Sequence, residues 1–432
     1  MASNFKVFIV FSIVFSSFFL RGQDSTLVLN KTEFEALFLK NNLALLIENL
    51  SITKAEAEII QARVWPNPTF SIEDVNLWRP NSIKNEELTP PLVGDFGRNH
   101  QFTIGFEQLI ITAGKRKKLI ELKEMGYAYS QQYFEEVLRN LKVEFRHSLN
   151  QLSFLQKYKE VYKSQLTSIN QLKASYNNQV EQGYLNKGEY IRLKALSMEV
   201  LHELNQLESE YESVEHHIKL LINVPVYTTI QLKEEGMKVD QEKLISLDTQ
   251  ELIDSALVHR PDFQLAKLEE EMAMQSRSIA RAERIPDLSF LGNYNRGDAL
   301  YPNYVGFGIA FDLPIFNRNK GNIRLAEIEI EQAKNNQKLA VQSIKKEIAL
   351  AISQYKKAIE FAQQIDDNYD AELDQILAAY TQNFTNQNIS IIEYLDFLDA
   401  YLENKRIILQ AEYQLREKAE ELNSAIGIDL IK

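Results

Sequence analysis

From Asn322 to Ile426 the chain runs 105 residues without a glycine or a proline, and from Tyr127 to Gln182 it does so for another 56. Ordinary globular helices stop after roughly 8 to 20 residues, so breaker-free stretches of this length imply coiled coils or very long helical hairpins. The apolar spacing agrees. Leu138, Leu141, Phe145, Leu149, Leu152, Leu155, Tyr158, Tyr162, Leu166, Ile169, Leu172 and Tyr176 recur at about 3.5 residues, the coiled-coil period. The later series Ile344, Ile348, Ile352, Tyr355, Ile359, Ala362, Ile365, Tyr369, Leu373, Ile376 and Tyr380 recurs at about 3.6.

The prolines and most glycines gather instead in two windows, Pro66 to Gly114 and Pro286 to Gly321. Here the pattern alternates. Phe102, Ile104 and Phe106 oppose Thr103, Gly105 and Glu107, and Val305, Phe307, Ile309 and Phe311 oppose Gly306, Gly308 and Ala310. Pro68 to Trp78, with a slip of phase near Asp74, and Pro286 to Tyr294 read as two further strands. Each is about ten residues, long enough for a tilted strand to cross a bilayer, and aromatics (Trp78, Tyr294, Tyr304) lie near the ends.

The two windows belong to a tandem duplication. A shift of 218 places Ala62-Arg63 on Ala280-Arg281, Pro68 on Pro286 and Ser71 on Ser289; a shift of 204 places Ala174, Tyr176, Glu189 and Tyr190 on Ala378, Tyr380, Glu393 and Tyr394. The chain therefore divides into a first repeat at 23–230, a linker at 231–247 and a second repeat at 248–432. Strands are expected at about 68–78, 100–109, 286–294 and 304–311, and coiled-coil hairpins at about 113–222 and 320–426. Four strands cannot close a barrel, which takes about eight, and an open edge is intolerable in lipid. If these strands cross a membrane, several chains must share one barrel.

Other features narrow the function. Lys6, the uncharged run Val7 to Leu20 and then Arg21-Gly22 read as a secretory signal at 1–22, too short for a membrane anchor. A net charge of −12 argues against nucleic acid as a partner, since counterion release needs a basic surface. The absence of cysteine removes disulfides, thiolate metal sites and lipid attachment through an N-terminal cysteine. His216-His217 and Met272/Met274 stand at spacings that do not share a helix face, so neither pair makes a metal site. No nucleophile elbow, phosphate loop or His-Glu-x-x-His motif is present, and the chain is expected to be no enzyme and to need no cofactor.

Ala62-Arg63 followed by Pro66-Asn67-Pro68, then Glu107-Gln108 leading into Gly114-Lys115-Arg116, and in the second repeat Leu313-Pro314-Ile315-Phe316, resemble the outer-membrane efflux proteins of the TolC type. The shorter motifs look most like the cobalt–zinc–cadmium and copper–silver branch. Many of those relatives carry a lipidated N-terminal cysteine, which this sequence lacks. The resemblance implies a mainly α fold with a transmembrane β-barrel. It would be a homotrimer with a 12-stranded barrel in outer-membrane lipid and an α-helical periplasmic tunnel below. Such a duct works with a periplasmic adaptor (membrane fusion protein) and an inner-membrane resistance-nodulation-division pump. The cargo would be heavy-metal cations, with drugs or other small molecules as the alternative; a periplasmic coiled-coil adaptor is the competing class. The resemblance also puts the turns at Gln182 to Gly188 and Asn386 to Ser390 at the tunnel entrance. Glu189, Glu393, Asp396 and Asp399 would then line it as acidic rings, which concentrate cations. Lys115, Arg116, Lys117 and Lys118 would lie at the barrel–tunnel junction, within reach of phosphate headgroups.

Overall fold

A computed structural model describes residues 26–76, 92–93, 100–233, 248–297, 303–366 and 368–431. The signal segment, Trp78 and most of the linker lie outside the described residues. Those described form β1 (Thr26–Leu29), α1 (Lys31–Asn41), α2 (Leu43–Ala62), β2 (Thr69–Asn76), β3 (Gln101–Ile110), α3 (Lys115–Glu181), α4 (Lys187–Ile222) and β4 (Thr229–Leu232). These are followed by α5 (Thr249–His259), α6 (Pro261–Ala282), β5 (Leu288–Arg296), β6 (Asn303–Ala310), α7 (Lys320–Ala362), α8 (Tyr369–Thr385) and α9 (Ile391–Ile426). No described helix is long and apolar enough to cross a membrane.

The order helix, strand, strand, long helical hairpin occurs twice, with helix ends in register. α3 ends at Glu181 and α8 at Thr385; α4 spans Lys187–Ile222 and α9 Ile391–Ile426, every boundary 204 residues apart. α3 is a single helix of 67 residues, about 100 Å at ~1.5 Å per residue.

The second hairpin departs from the expected unbroken rod. Its outgoing arm stops at Ala362 and restarts at Tyr369. The intervening Gln363-Gln364-Ile365-Asp366-Asp367-Asn368 has no glycine or proline, yet Asp and Asn favour caps and turns because their side chains compete for nearby backbone N–H groups. Asp370 and Glu372 then occupy the first turn of α8, where the helix dipole favours negative charge. The restarted helix is fastened to α9. Lys405 Nζ lies 2.7 Å from both Asp370 Oδ1 and Asp374 Oδ1, and Tyr380 stacks on Phe397 with ring centroids 4.2 Å apart.

Two compact units divide the described chain, and they do not follow the repeats: 26–42 with 151–233, and 43–150 with 248–431. In the first, the hairpin of α3 and α4 buries Leu155, Ile169, Leu193 and Ile218, and β1 pairs in parallel with β4, Thr26 opposite Thr229. The β1–β4 pair is new relative to the sequence reading. Glu215, itself buried on α4, accepts the Ile230 N–H at 2.5 Å and meets Lys219 at 3.0 Å, fixing β4 to the hairpin. In the second unit, α5, α7 and α9 share a core built on Ala256, Ile344, Ile348, Tyr355, Leu422 and Ile426.

Candidate membrane-spanning sheet and hairpin tips

The second unit also holds one antiparallel sheet in the order β2-β3-β5-β6. Its strands begin and end within a residue or two of the expected limits, except that β2 is described only to Asn76. The phase slip near Asp74 is a bulge: pairing with β3 jumps between Glu73 and Asn76, and Asp74 takes φ 53°. Register sorts the side chains. Phe70, Phe106, Gly292 and Phe307 lie side by side across all four strands, as do Ile72, Ile104, Tyr294 and Val305. The other face carries Ser71, Gly105, Asn293 and Gly306 in one row and Glu107, Leu291 and Gly308 in another. One face is thus apolar and largely uncovered, with Phe307 at 88% exposure, while its reverse is mostly polar or small, Leu109 and Leu291 excepted. This is the apolar-out, polar-in alternation of a membrane strand, and both edge strands lack a partner among the described residues.

Gly306 leaves room on the small face for the Asn293 and Tyr304 side chains, which a larger residue would have to displace. A Cβ there would sit 2.4 Å from Asn293 Oδ1 and 2.8 Å from the Tyr304 ring.

The basic run after β3 is mostly engaged inside the protein. Lys115 Nζ meets Asp287 Oδ1 at 2.9 Å, and the same oxygen accepts the Thr112 N–H at 2.8 Å. The Arg116 guanidinium lies 4.7 Å over the Trp65 ring and donates to the Arg63 carbonyl. Lys118 Nζ donates to the Ser278 carbonyl at 3.3 Å. Lys117 keeps its side chain in solvent, with Glu121 3.9 Å away on the next turn. Three of the four cations therefore stitch the strand–helix corner together, a use that sequence spacing does not disclose because every partner is distant in the chain.

At the hairpin tips, position-for-position correspondence continues. Gly183 takes φ 80° and its counterpart Gln387 φ 60°; Asn186 and Ser390 are the N-caps of α4 and α9. The acids diverge. Glu393 closes a capping box: its Oε2 accepts the Ser390 N–H at 2.7 Å and the Ser390 hydroxyl at 2.9 Å. Those hydrogen bonds, the backbone one first, hold its pKa below the usual carboxylate range. Ser390-x-x-Glu393 is a capping signature readable in the sequence. Glu189 instead faces Tyr176, whose phenol is pushed up to about 12 by burial first and by that carboxylate second. Asp396 and Asp399 are exposed on α9, away from the buried row Ile391, Tyr394 and Leu398.

Residues 252–428 match the outer membrane efflux protein family. The second repeat thus carries the sequence signature of outer membrane efflux proteins. The chain is 23% identical over 325 residues to the probable outer membrane lipoprotein SilC of Salmonella typhimurium, covering 71% of this chain and 69% of that one. Its fold matches that of CusC, solved in connection with transmembrane channel formation, at a TM-score of 0.70 with 19% identity over 92% of each chain. The CmeC outer membrane channel of Campylobacter jejuni matches equally well in fold, with a TM-score of 0.70, 16% identity and coverage of 92% of this chain and 85% of that one. The fold of nearly the whole chain is accordingly that of solved outer-membrane channels.

Proposed function

We propose that this chain is an outer-membrane efflux protein of the TolC type, that three copies share one closed barrel of twelve strands, and that they form the exit duct of a tripartite, proton-driven pump, joined through a periplasmic adaptor to an inner-membrane resistance-nodulation-division transporter. The observation that carries the reading is the four-stranded sheet with a bare apolar face and, among the described residues, two open edges. Four strands are half of what the smallest barrel needs, and lipid tolerates no unpaired edge. The cargo in this reading is heavy-metal cations. Support comes from Pro66-Asn67-Pro68 and Gly114-Lys115-Arg116, motifs like those of the metal branch, and from the similarity to SilC.

Asp396 and Asp399, with Glu189 of the first repeat, would supply the acidic mouth, while Glu393 serves first as a helix cap. The two repeats, 23–230 and 248–432, act in this reading as paired staves of the duct. Deleting the gene should sensitise cells to zinc, cadmium, cobalt or copper; unchanged metal tolerance with new drug sensitivity would move the cargo to small organic molecules. Single-channel recordings of the Asp396→Asn, Asp399→Asn double variant should show weaker cation preference than the parent. Equal preference would leave those carboxylates as a solvated helix face.

A further inference from the structure

Between α3, the end of α5, the start of α6 and the end of α9 the second unit leaves a cavity of about 810 Å³. Its walls come from 132–146, 257–267 and 420–429, all within that unit. Small-molecule sites fall in the range of roughly 300–1,000 Å³ and combine an apolar lining with a few convergent polar groups. Both are present. Leu138 of α3, Phe263 of α6 and Ile428 just beyond α9 are half-buried on the wall. Arg139, Lys142 and Arg146 stand at i, i+3 and i+7, one face of α3, and Lys267 joins them from α6.

Arg139 is taken up by Glu136, at 2.9 and 3.0 Å, and by the Ser424 carbonyl at 3.0 Å. The next two cations hold a carboxylate as a ligand would be held. Arg146 Nη1 lies 2.7 Å from Asp429 Oδ1 and Nη2 3.0 Å from Oδ2, a bidentate fork, and Lys142 Nζ lies 2.8 Å from Oδ2. Arg146 Nη1 also meets Glu420 at 3.0 Å. The Arg146 hydrogen bond first, against partial burial and with help from Lys142, keeps Asp429 charged down to about pH 2. Yet the tail that carries Asp429 does not depend on it. Asn423 accepts the Leu430 and Ile431 N–H groups at 2.9 Å each and donates to the Ile431 carbonyl at 2.8 Å. The Asp429 side chain is 44% exposed, so solvent reaches the fork. Lys267 is exposed and has no ionic partner among the described residues.

We infer that this cavity binds an amphipathic anion, a phosphate or carboxylate on a short apolar body, with Asp429 as the built-in competitor for its head. The head replaces the Asp429 carboxylate on Lys142 and Arg146, and Lys267 meets its remaining charge. The apolar body lies along Leu138, Phe263 and Ile428. Asp429 turns out to solvent while Asn423 keeps the tail in place. A phosphate monoester suits three cations best, since it carries about −1.5 to −2 charges at pH 7 and three strong acceptor oxygens. The site needs neither the barrel nor a pump partner, so it stands or falls apart from the duct reading.

Isothermal titration calorimetry of the full chain in a non-ionic detergent, with octyl phosphate as probe and empty micelles as blank, tests the assignment. Asp429→Asn removes the competing charge and should bind octyl phosphate about tenfold more tightly than the parent, the worth of one charged hydrogen bond. Lys267→Gln leaves every described ion pair in place and should weaken binding to the parent about fivefold. Octyltrimethylammonium, with the opposite charge on the same body, should show no saturable binding. Inorganic phosphate should bind about tenfold more weakly than octyl phosphate, because it buries no apolar surface. Equal affinities for the two phosphates would make the cavity a site for the free ion and overturn the amphipathic class. Equal octyl phosphate affinities for the parent and Asp429→Asn would leave Asp429 a structural ion pair and overturn the competition. If Asp429→Asn fails to fold, Lys267→Gln decides: an affinity equal to the parent's, or no saturable binding to the parent, overturns the site.

Discussion

From tip to C-terminal end the two hairpins have the same helix ends to the residue, and their interiors are unlike. Where the first runs helical through Lys159-Glu160-Val161-Tyr162-Lys163-Ser164, the second breaks at Gln363 to Asn368, the same positions 204 residues later. Buried apolar rows such as Tyr162, Ile169 and Tyr176 in one and Leu373, Leu377 and Phe384 in the other continue on either side of that point. Helix ends are therefore set by caps and tip turns, which are retained, and the continuity of a helix is set by a handful of side chains that compete for its backbone.

The largest test of that difference uses proline. Lys163→Pro should cost about 3 kcal/mol or more, because it removes a backbone hydrogen bond and clashes with the preceding turn of α3. Asp366→Pro should cost a fraction of that, since α7 has already ended. Thermal melts followed by circular dichroism in detergent would compare them; equal losses would mean that the break is not a real discontinuity.

The helix ends offer a second test. α4 finishes on Asn223 at φ 51° and α9 on Gly427 at φ 84°, left-handed in both cases. Asn suffices for the conformation, but at 427 a Cβ would stand 2.9 Å from Arg260 Cγ. Arg260 is held by Asp262 at 2.6 Å and Glu347 at 2.7 Å and cannot easily give way. Gly427→Asn should destabilise by about 1–3 kcal/mol, the usual cost of overpacking. Asn223→Gly should stay within about 0.5 kcal/mol, the range of surface changes. Chemical denaturation would separate the pair, and similar shifts for both would show that only backbone conformation matters.

After Gly427 the second repeat turns back, and Asp429 meets Arg146 at 2.7 Å and Lys142 at 2.8 Å. The Arg146 hydrogen bond, opposed by partial burial and aided by Lys142, holds its pKa at about 2. A carboxyl with a lowered folded-state pKa stabilises above its unfolded value, about 3.9, and loses that contribution as pH falls towards 2. Its side chain is 44% exposed, so solvent screening limits the effect to about 1 kcal/mol. Asp429→Asn should be less stable than the parent at pH 7, with the two curves converging between about pH 4 and pH 2. Curves parallel over that window would detach Asp429 from the stability of α9.

The smallest expected effect is at the tips. Gln387→Gly should gain a few tenths of a kcal/mol by relieving a left-handed side chain, a gain reduced by glycine's greater freedom when unfolded. Gly183→Gln should lose up to about 1 kcal/mol. Equilibrium unfolding of both variants would show whether the two tips tolerate exchange.

The particular residues explain what was legible beforehand. Alternation in 102–106 and 305–311 and the long periodic rows are repeated signals, and they located the strands and hairpins; the slip at Asp74 marked a bulge. The break at Gln363 to Asn368 was hidden because it contains neither glycine nor proline, although its Asp and Asn residues carry the signal. β1 and β4 are four residues each and pair across about 200 residues of chain, beyond any local pattern. Lys115, Arg116 and Lys118 advertised a surface charge that the corner absorbs, and Ser390 to Glu393 advertised a cap as plainly as an acidic mouth.

The pairing of Ile110 with Leu288 has a bearing on how the chain matures. Each hairpin tip closes over a few residues, an event of microseconds, whereas β3 meets β5 only after more than 170 residues between them have been made and delivered. During that delay the β5-facing edge of β3 presents unpaired backbone, and its aromatic side chains stand in water, the condition under which chains aggregate. Maturation of this chain is thus a race between late, long-range pairing and self-association, because residues 101–110 can satisfy only the edge that faces β2 until residues 288–296 arrive.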